Sequence, residues 1–593
     1  MKIIVNNIRL SISLVFKHSC GSALLYLFLA LYSALFAPLQ VYSIEKIVDA
    51  LSLLMQNDLD QNLKKVLAFW SFILIISIIM SSLYDSFRPY LSLHMYKRLM
   101  ISLTPDILLT INNINYCDFE NSDKADIIHR VTRAPYALVQ NQFNAFVNGI
   151  FFVTSTIGVV IMFCRISVVL GVLSIMCGLF TALIQYQVEK KRFVFEDKQN
   201  FNNRFINYIS HLFVNKNFQY EIRVFNSENY FIKKLNTQFN IILNKYRDFF
   251  YKNIWLYLIE IFVLVFFIVI SIIVIIMDLK NSSISNGEVF SFFTNLQKFF
   301  SLLSLSTITL QNIAQKSYNM NFYRKFLDLG AIPHKKNNII ENYKDNDEFD
   351  IVFDNVTFKY PNSDILVLDK VSFRIQKNTS VAIVGENGAG KSTLLKLICG
   401  LYIPTEGDIY IRGNNTKDLS IKDIGKYISV MFQDYPHYQF TIRENLALGN
   451  ENDLNNDNKL LNALQIAHSD VLCKFDLNQS LGCFNNGVDL SEGEWQKITL
   501  ARTSLYNKKI ILFDEPTSAI DPVSESEMYM SLKKIIENKS ALIVTHRLIT
   551  AKFSKKILLL EGGKLIEQGT HKELMNKETK YRKMFIAQSK WYI

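Results

Sequence analysis

Nine consecutive residues carry the clearest chemical pattern of the chain. They read Gly-Glu-Asn-Gly-Ala-Gly-Lys-Ser-Thr, match the phosphate-loop pattern GxxxxGK[ST], and stand between an apolar run and a helical segment, as that loop requires. The glycines let backbone N–H groups approach phosphate oxygens, and the start of the helix adds a positive dipole. Lys391 is expected to reach the β- and γ-phosphates, and Ser392 to bind Mg²⁺. The residues predicted to bind the nucleotide are Gly385, Glu386, Asn387, Gly388, Ala389, Gly390, Lys391, Ser392 and Thr393.

Two carboxylates and one imidazole extend this prediction. Asp514 and Glu515 directly follow an apolar run, and an aspartate at a strand end beside a phosphate loop is placed to bind Mg²⁺. Glu515 is the candidate general base, because a carboxylate there can orient water for in-line attack. His546 follows another apolar run and is the candidate contact to the γ-phosphate. The series predicts a site that hydrolyses a nucleoside triphosphate.

Short apolar strands alternate with helical segments in the part of the chain that carries these residues. The predicted strands include residues 380–384, 428–431, 510–513 and 542–545. This order is typical of an α/β domain built around a mainly parallel sheet. A polar, charged stretch precedes the first strand, so we predict a domain over residues 349–593, a linker over 331–348 and a separate domain over 1–330.

The earlier part of the chain is far more apolar. Half of the 593 residues are hydrophobic, and the net charge of +11 divides into nine charges in residues 1–348 and two in residues 349–593. A nucleic-acid-binding protein would place its basic patch on a soluble domain, whereas here the positive charge accompanies long apolar runs. The distribution is typical of a membrane protein, and no nucleic-acid partner is expected.

Five clear apolar runs and one weaker run are long enough to cross a bilayer, whose core of about 30 Å requires about 20 residues of helix. They cover residues 23–42, 67–84, 146–164, 168–186, 254–277 and 289–310. Lys2, Arg9 and Lys17 precede the first run, and Lys190 and Lys191 open the connection after the fourth. Basic flanks mark the cytoplasmic side. We therefore predict six spans with both termini in the cytoplasm.

Two long connections on the cytoplasmic side have helical periodicity, so the spans are expected to continue beyond the membrane as helices. Each connection has one predicted break, at residues 115–121 and at residues 219–225. Taken alone, these breaks are loop tips with a solvated, charged face.

Two ionisable residues lie at membrane depth, where charges are costly and usually face protein or water. Glu260 is in the fifth run and Lys298 in the sixth, where it shares a polar helix face with Thr294, Gln297, Ser301 and Ser304. One hypothesis is that this face lines a substrate path. The alternative is a structural pair between Glu260 and Lys298 without substrate contact.

Together these motifs resemble those of the ATP-binding cassette family, in particular exporters that fuse six membrane helices to one nucleotide-binding domain. The resemblance covers essentially the whole chain. It implies that Tyr360 stacks on adenine and that Gln433, as the Q-loop glutamine, links Mg²⁺ and the attacking water to the membrane domain. Residues 518–521 match the D-loop and residues 545–547 the H-switch, and the two cytoplasmic breaks resemble coupling helices.

The segment that resembles the family signature departs from it. The pattern LSGGQ corresponds here to Leu490-Ser491-Glu492-Gly493-Glu494, in which Ser491 and Gly493 are retained. In the family this segment caps the γ-phosphate bound by the opposite subunit. Glu492 replaces the first glycine and Glu494 the glutamine, and a carboxylate that faced the phosphate would repel it.

The resemblance implies a dimer, because one nucleotide-binding domain supplies half of each composite ATP site. A homodimer in the cytoplasmic membrane of a bacterium is the favoured prediction, with ATP and Mg²⁺ as ligands and a peptide or amphipathic natural product as exported substrate. A heterodimer in which a second chain supplies an unaltered signature is the alternative, as is an ATP-gated channel or regulatory protein. No N-terminal peptidase domain is predicted, because only about 20 residues precede the first span.

Overall fold

The computed structural model describes residues 2–55, 61–280, 284–331, 348–361, 363–469, 471–482, 487–517 and 522–589. These residues form two compact units, Met1–Asn112 with Asp126–Ala331 and Asn113–Ala125 with Ile332–Ile593. The predicted D-loop, residues 518–521, and nearly all of the predicted linker lie outside the described residues. The predicted boundaries at residues 330 and 349 remain predictions.

The first unit is helical. Its helices, with α3 beginning in the second unit, are α1 (Lys2–Leu54), α2 (Gln61–Asn112), α3 (Ser122–Arg133), α4 (Pro135–Ile166), α5 (Val168–Val214), α6 (Lys216–Val224), α7 (Glu228–Lys280) and α8 (Asn286–Gly330). Local sequence sets several of these ends. Pro135 occupies the first turn of α4, where its missing N–H costs nothing, and Ser285 and Glu288 form a reciprocal capping box at the start of α8.

Each predicted membrane span lies inside one long helix. Five described helices are long and apolar enough to cross a membrane, namely α1, α2, α4, α7 and the first part of α5. Helix α8 contains the sixth predicted span and is 45 residues long, but its apolarity is lower. The chain is therefore a multi-pass membrane protein, and the sixth span remains a prediction.

The long helices extend beyond the apolar runs, as predicted, and the two breaks differ from each other. Residues 115–121 contain a single 3-10 turn, Tyr116–Phe119. The second predicted break lies largely within the helix α6. Asn215 caps the start of that helix by accepting a hydrogen bond from Asn217 N–H at 2.9 Å. The chain turns after α6, where Asn226 adopts a left-handed φ of 47°.

Polar side chains inside the first unit have partners on neighbouring helices. Glu260 accepts a hydrogen bond from Gln185 Nε2 at 2.8 Å, whereas Lys298 Nζ donates to the carbonyl of Ala37 at 2.7 Å and to Gln40 Oε1 at 3.3 Å. The alternative prediction of a Glu260–Lys298 pair is therefore wrong. Each group finds a nearer polar partner on a different helix, which the sequence pattern of α7 and α8 could not reveal.

The second unit has the predicted α/β architecture. Its strands are β1 (Phe349–Lys359), β2 (Leu366–Gln376), β3 (Ser380–Gly385), β4 (Glu406–Ile411), β5 (Asn414–Asn415), β6 (Ile428–Met431), β7 (Ile510–Asp514), β8 (Ser540–Val544), β9 (Lys556–Glu561) and β10 (Lys564–Gly569). Its helices are α9 (Lys391–Ile398), α10 (Ile421–Ile424), α11 (Ile442–Ala447), α12 (Asp457–Ile466), α13 (Glu492–Tyr506), α14 (Pro522–Ile536), α15 (Leu548–Ala551), α16 (His571–Asn576) and α17 (Lys580–Ser589).

The strands form two sheets. One has six strands in the order β10-β9-β3-β8-β7-β6, all parallel except for the β10–β9 hairpin, and the other has four antiparallel strands in the order β2-β1-β4-β5. Strands β3, β7 and β8 are almost entirely buried, which explains their continuous apolar sequences. Their carboxyl ends meet at one edge of the sheet, where the predicted site residues follow them.

Candidate functional site

A cavity of about 540 Å³ lies at this edge of the six-stranded sheet. It brings together residues that are far apart in the chain, and its walls are formed by Tyr360, Val367, Asn387, Gly388, Gly390, Lys391, Ser392, Thr393, Gln433, Glu515 and His546. All of these except Val367 belong to the predicted set. The structure thus places the adenine, phosphate and catalytic candidates around one space.

Backbone geometry forms the base of the cavity. Gly390 caps α9 with a left-handed φ of 97°, and a Cβ there would lie 2.8 Å from Leu368 Cδ2, so the position requires glycine. Lys391 Nζ donates to the carbonyls of Gly385 and Glu386, both at 2.9 Å. Burial lowers the pKa of Lys391, and the carboxylates of Glu515 and Asp514 oppose that shift. Phosphate oxygens entering the cavity would compete with these carbonyls for the ammonium group.

Three predicted loop residues do not line the cavity. Ala389 is buried in the hydrophobic core, and Gly385 and Glu386 contribute the carbonyls that hold Lys391. The Glu386 side chain instead forms an ion pair with Lys580 Nζ at 3.0 Å. These residues therefore support the backbone of the predicted phosphate loop without lining the cavity.

Asp514 lies at the end of β7, directly beneath the loop. It is 4% exposed, and its Oδ1 accepts a hydrogen bond from Ser392 Oγ at 3.2 Å. Burial raises the pKa of Asp514 to about 6; the Ser392 hydrogen bond and Lys391 oppose this, and the Glu515 charge adds to it. The partly buried Ser392 hydroxyl and the buried Asp514 carboxyl group are hard oxygen ligands, which fit a divalent cation such as Mg²⁺. Among the described residues no group of three His, Cys, Asp or Glu could hold a metal.

The catalytic candidates contact each other. His546 Nδ1 lies 3.0 Å from Glu515 Oε2. Glu515 adopts a left-handed φ of 48°, which costs a non-glycine residue about 1 kcal/mol, and its N–H is fixed by a 2.9 Å hydrogen bond to Val544 O. The loop of His546 is held from α17, where Gln588 Nε2 donates to His546 O at 3.0 Å and Gln588 Oε1 accepts from Leu548 N at 2.7 Å.

Tyr360, the adenine candidate, belongs to an aromatic cluster. Its hydroxyl lies 3.0 Å from Thr393 Oγ1, and its ring meets Phe358 and Tyr402 edge-on at 5.1 and 5.2 Å. Tyr402 in turn contacts Tyr116 at 5.6 Å and donates a hydrogen bond to Glu120. The segment Asn113–Ala125 is thus packed next to the adenine candidate within the second unit.

The signature residues lie outside the cavity. Ser491 caps α13, and its Oγ and N–H bond reciprocally to Glu494, which therefore completes a capping box. A Cβ added at Gly493 would meet no described atom of this chain within 4 Å. Ser491 and Gly493 are not brought to the phosphate loop of their own chain.

Sequence reasoning missed several residues at the site. Val367 carries no chemical signal, and only the pairing of β2 with β1 places it beside Tyr360. Gln588 is close to the C-terminus and far in sequence from the loop that it holds. A larger cavity of about 670 Å³ between β1, β2 and α16 contains none of the predicted residues, so cavity size does not identify the site.

Comparisons with known proteins agree with this arrangement. The family model described as ABC transporter matches residues 368–518. The chain is 29% identical over 488 residues to the subtilin transport ATP-binding protein of Bacillus subtilis, covering 80% of this chain and 77% of that protein. It is 28% identical over 530 residues to the nisin transport ATP-binding protein of Lactococcus lactis subsp. lactis, covering 86% of each.

The fold also matches a solved structure. The chain is similar to a bacterial Atm1-family ABC exporter with ATP bound, with a TM-score of 0.76 and 20% identity, over 97% of this chain and 99% of that chain. Apolar helices precede an ATPase domain in the same order as in the exporter half-transporters. The chain carries an ABC transporter ATP-binding domain over residues 368–518 and is similar over most of its length to exporter half-transporters, which indicates ATP-driven export.

Proposed function

We propose that two copies of this chain form a homodimer that exports a peptide across the cytoplasmic membrane of a bacterium. The observation that carries the dimer is the separation of Ser491 and Gly493 from the cavity that gathers Lys391 and Glu515. A glycine with open space around its Cβ position leaves room for a group from another molecule. Each phosphate loop would then be closed by the Ser491 and Gly493 of the other copy, by a two-fold arrangement.

Lys391, Ser392, Asp514 and Gln433 are the residues that would hold the phosphates and Mg²⁺. Lys391 exchanges its bonds to the Gly385 and Glu386 carbonyls for phosphate oxygens, which a half-desolvated ammonium binds strongly. Mg²⁺ held by these residues would supply positive charge that stabilises the phosphates. Burial favours the protonated form of Asp514, and the carboxyl group would have to be ionised to hold the cation.

Glu515 would accept the proton of the attacking water, and His546 would orient Glu515 and contact the γ-phosphate. The 3.0 Å contact between the two side chains and the fixed Glu515 backbone support this division of roles. Tyr360, which also lines the cavity, would stack on adenine. ATP bound by both copies favours the closed dimer, and hydrolysis of the ATP allows the dimer to open.

A peptide is the proposed substrate because the two similar transport proteins are named for subtilin and nisin. Thr294, Gln297, Ser301 and Ser304 are at least partly exposed within the described part of the chain, which supports a polar α8 face that lines the path. The N- and C-termini are proposed to lie in the cytoplasm, on the side of the ATPase domain.

The proposal is tested with the full chain purified alone and reconstituted in lipid nanodiscs. Vanadate-sensitive ATPase activity is measured for the wild type and for Glu515→Gln, with and without nisin, and with a disaccharide as the control solute. We expect activity that Glu515→Gln abolishes and that nisin raises. ATP binding without activity would contradict the homodimer in favour of a partner chain, and stimulation by the disaccharide alone would contradict the peptide.

A further inference from the structure

Glu492, which departs from the signature pattern, lies where its carboxylate could block the binding of a phosphate. Glu492 is the first residue of α13, and the first N–H groups of a helix have no partners within the helix. They attract anions, including a carboxylate in the same turn. An unrestrained Glu492 side chain would therefore compete with a phosphate for these groups and repel it.

The structure holds this carboxylate elsewhere. The Tyr435 hydroxyl donates to Glu492 O at 3.0 Å and lies 3.4 Å from Glu492 Oε2, and His437 Nε2 lies 3.4 Å from the same oxygen. Burial raises the pKa of Tyr435 to about 12, with the Glu492 charge adding to the rise, so the phenol remains a donor at neutral pH. The Glu492 side chain is 66% exposed, so its remaining lone pairs face water.

The two holding residues are themselves fixed. The His437 ring stacks on Trp495 with centroids 4.6 Å apart and an interplanar angle of 2°, and Trp495 is 3% exposed in the core. Tyr435 packs against the same hydrophobic cluster. A loop residue on a buried indole offers its ring nitrogen at a defined position, which a mobile surface side chain would not.

We propose that Tyr435 and His437 are positioning residues for ATP hydrolysis that hold the Glu492 carboxylate away from the N-terminus of α13. The N–H groups there remain available to the γ-phosphate bound by the other copy. The inference rests on the proposed homodimer. It assigns a role to the acidic Glu492 and to the His437 ring, which stacks on Trp495 and contacts the Glu492 carboxylate.

In the proposed homodimer the loop that carries Gln433, Tyr435 and His437 would reach both ATP sites. Gln433 lines the cavity of its own chain, and Tyr435 is only two residues further along. The position of the Glu492 carboxylate is therefore tied to the loop that meets the nucleotide of the same chain.

The test asks whether a substitution at Glu492 suppresses the loss of activity caused by substitutions at Tyr435 and His437. We compare the wild type, the double variant Tyr435→Phe/His437→Gln, the single variant Glu492→Gln and the triple variant, all as full chains in nanodiscs. The double variant is expected to lose ATPase activity at least tenfold while binding of a fluorescent ATP analogue, which needs the phosphate loop, changes less than twofold. Adding Glu492→Gln should restore activity, because the neutral amide does not repel phosphate. Tyr438→Phe, a hydroxyl deletion in the same loop, is the matched control and should keep wild-type activity.

The outcomes separate the inference from the proposed function. Unchanged activity in the double variant, or a loss that Glu492→Gln does not rescue, overturns the inference while the homodimer stands. ATP-driven closure, measured by energy transfer between labelled ATPase domains in a Glu515→Gln background, provides a readout that needs no hydrolysis. If the wild type shows neither hydrolysis nor closure, the proposed homodimer and the inference that rests on it are both overturned.

Discussion

The contact between Tyr402 and Glu120 is expected to hold the segment Asn113–Ala125 on the ATPase core. Tyr402 is 3% exposed and donates its hydroxyl to the exposed Glu120 carboxylate. Burial raises the pKa of Tyr402 well above its usual range, and the hydrogen bond to Glu120 adds to the rise, so the phenol is a donor at every working pH. Tyr402→Phe removes this bond and keeps the ring contacts with Tyr116, Phe358 and Tyr360.

The magnitude follows from the kind of bond. A hydrogen bond to a charged acceptor contributes about 2 kcal/mol, and Glu120 can turn to water when it is lost, so no buried charge is left unpaired. A change of about 2 kcal/mol corresponds to roughly a thirtyfold rise in the equilibrium for opening the segment. The ring contacts remain in Tyr402→Phe, so the segment is expected to open more often without leaving the core permanently.

Hydrogen exchange of peptides covering residues 113–125, measured in nanodiscs, reports this opening. Tyr116→Phe is the matched control, since the Tyr116 hydroxyl makes no hydrogen bond to described residues, and it should leave exchange near the wild-type rate. A double-mutant cycle of Tyr402→Phe and Glu120→Ala should give a coupling energy near the same 2 kcal/mol. Equal exchange in Tyr402→Phe and wild type, or strictly additive effects in the cycle, would refute the reasoning.

Three further results are expected. Gln588→Leu removes both hydrogen bonds to the His546 loop and should lower kcat roughly tenfold with little change in KM for ATP, and an effect on KM alone would contradict a role at this loop. Lys298→Met should remove stimulation of ATPase by nisin, and unchanged stimulation would exclude the α8 face from the substrate path. Asp514→Asn removes a carboxyl group whose pKa is raised in the folded state. Protonation of this group stabilises the folded wild type, and that stabilisation is fully present below about pH 4 and is lost as the pH rises through about 6. In EDTA the variant should therefore unfold at a higher temperature than the wild type at pH 8 and at a similar one near pH 4, and an equal difference at both pH values would contradict this.

The sequence by itself determined the parts of this protein that depend on local order. Residues 385–393 match the phosphate-loop pattern and run from the end of β3 into the start of α9, because glycine spacing and the flanking apolar run fix that backbone locally. Five of the six apolar runs lie in helices able to cross a membrane, because a bilayer sets their length directly. The parallel sheet followed from short apolar runs that are buried on both faces.

Tertiary structure decided what depends on residues distant in the chain. Glu260 and Lys298 take different partners, because the packing of α5 and α1 against their helices supplies nearer polar groups. The antiparallel four-stranded sheet pairs β1 with β2 and with β4, which come from separate segments of the chain, and no local signal specified this pairing. The direction of the Glu492 carboxylate depends on Tyr435 and His437, more than fifty residues earlier in the chain, and no property of the signature segment alone specifies it.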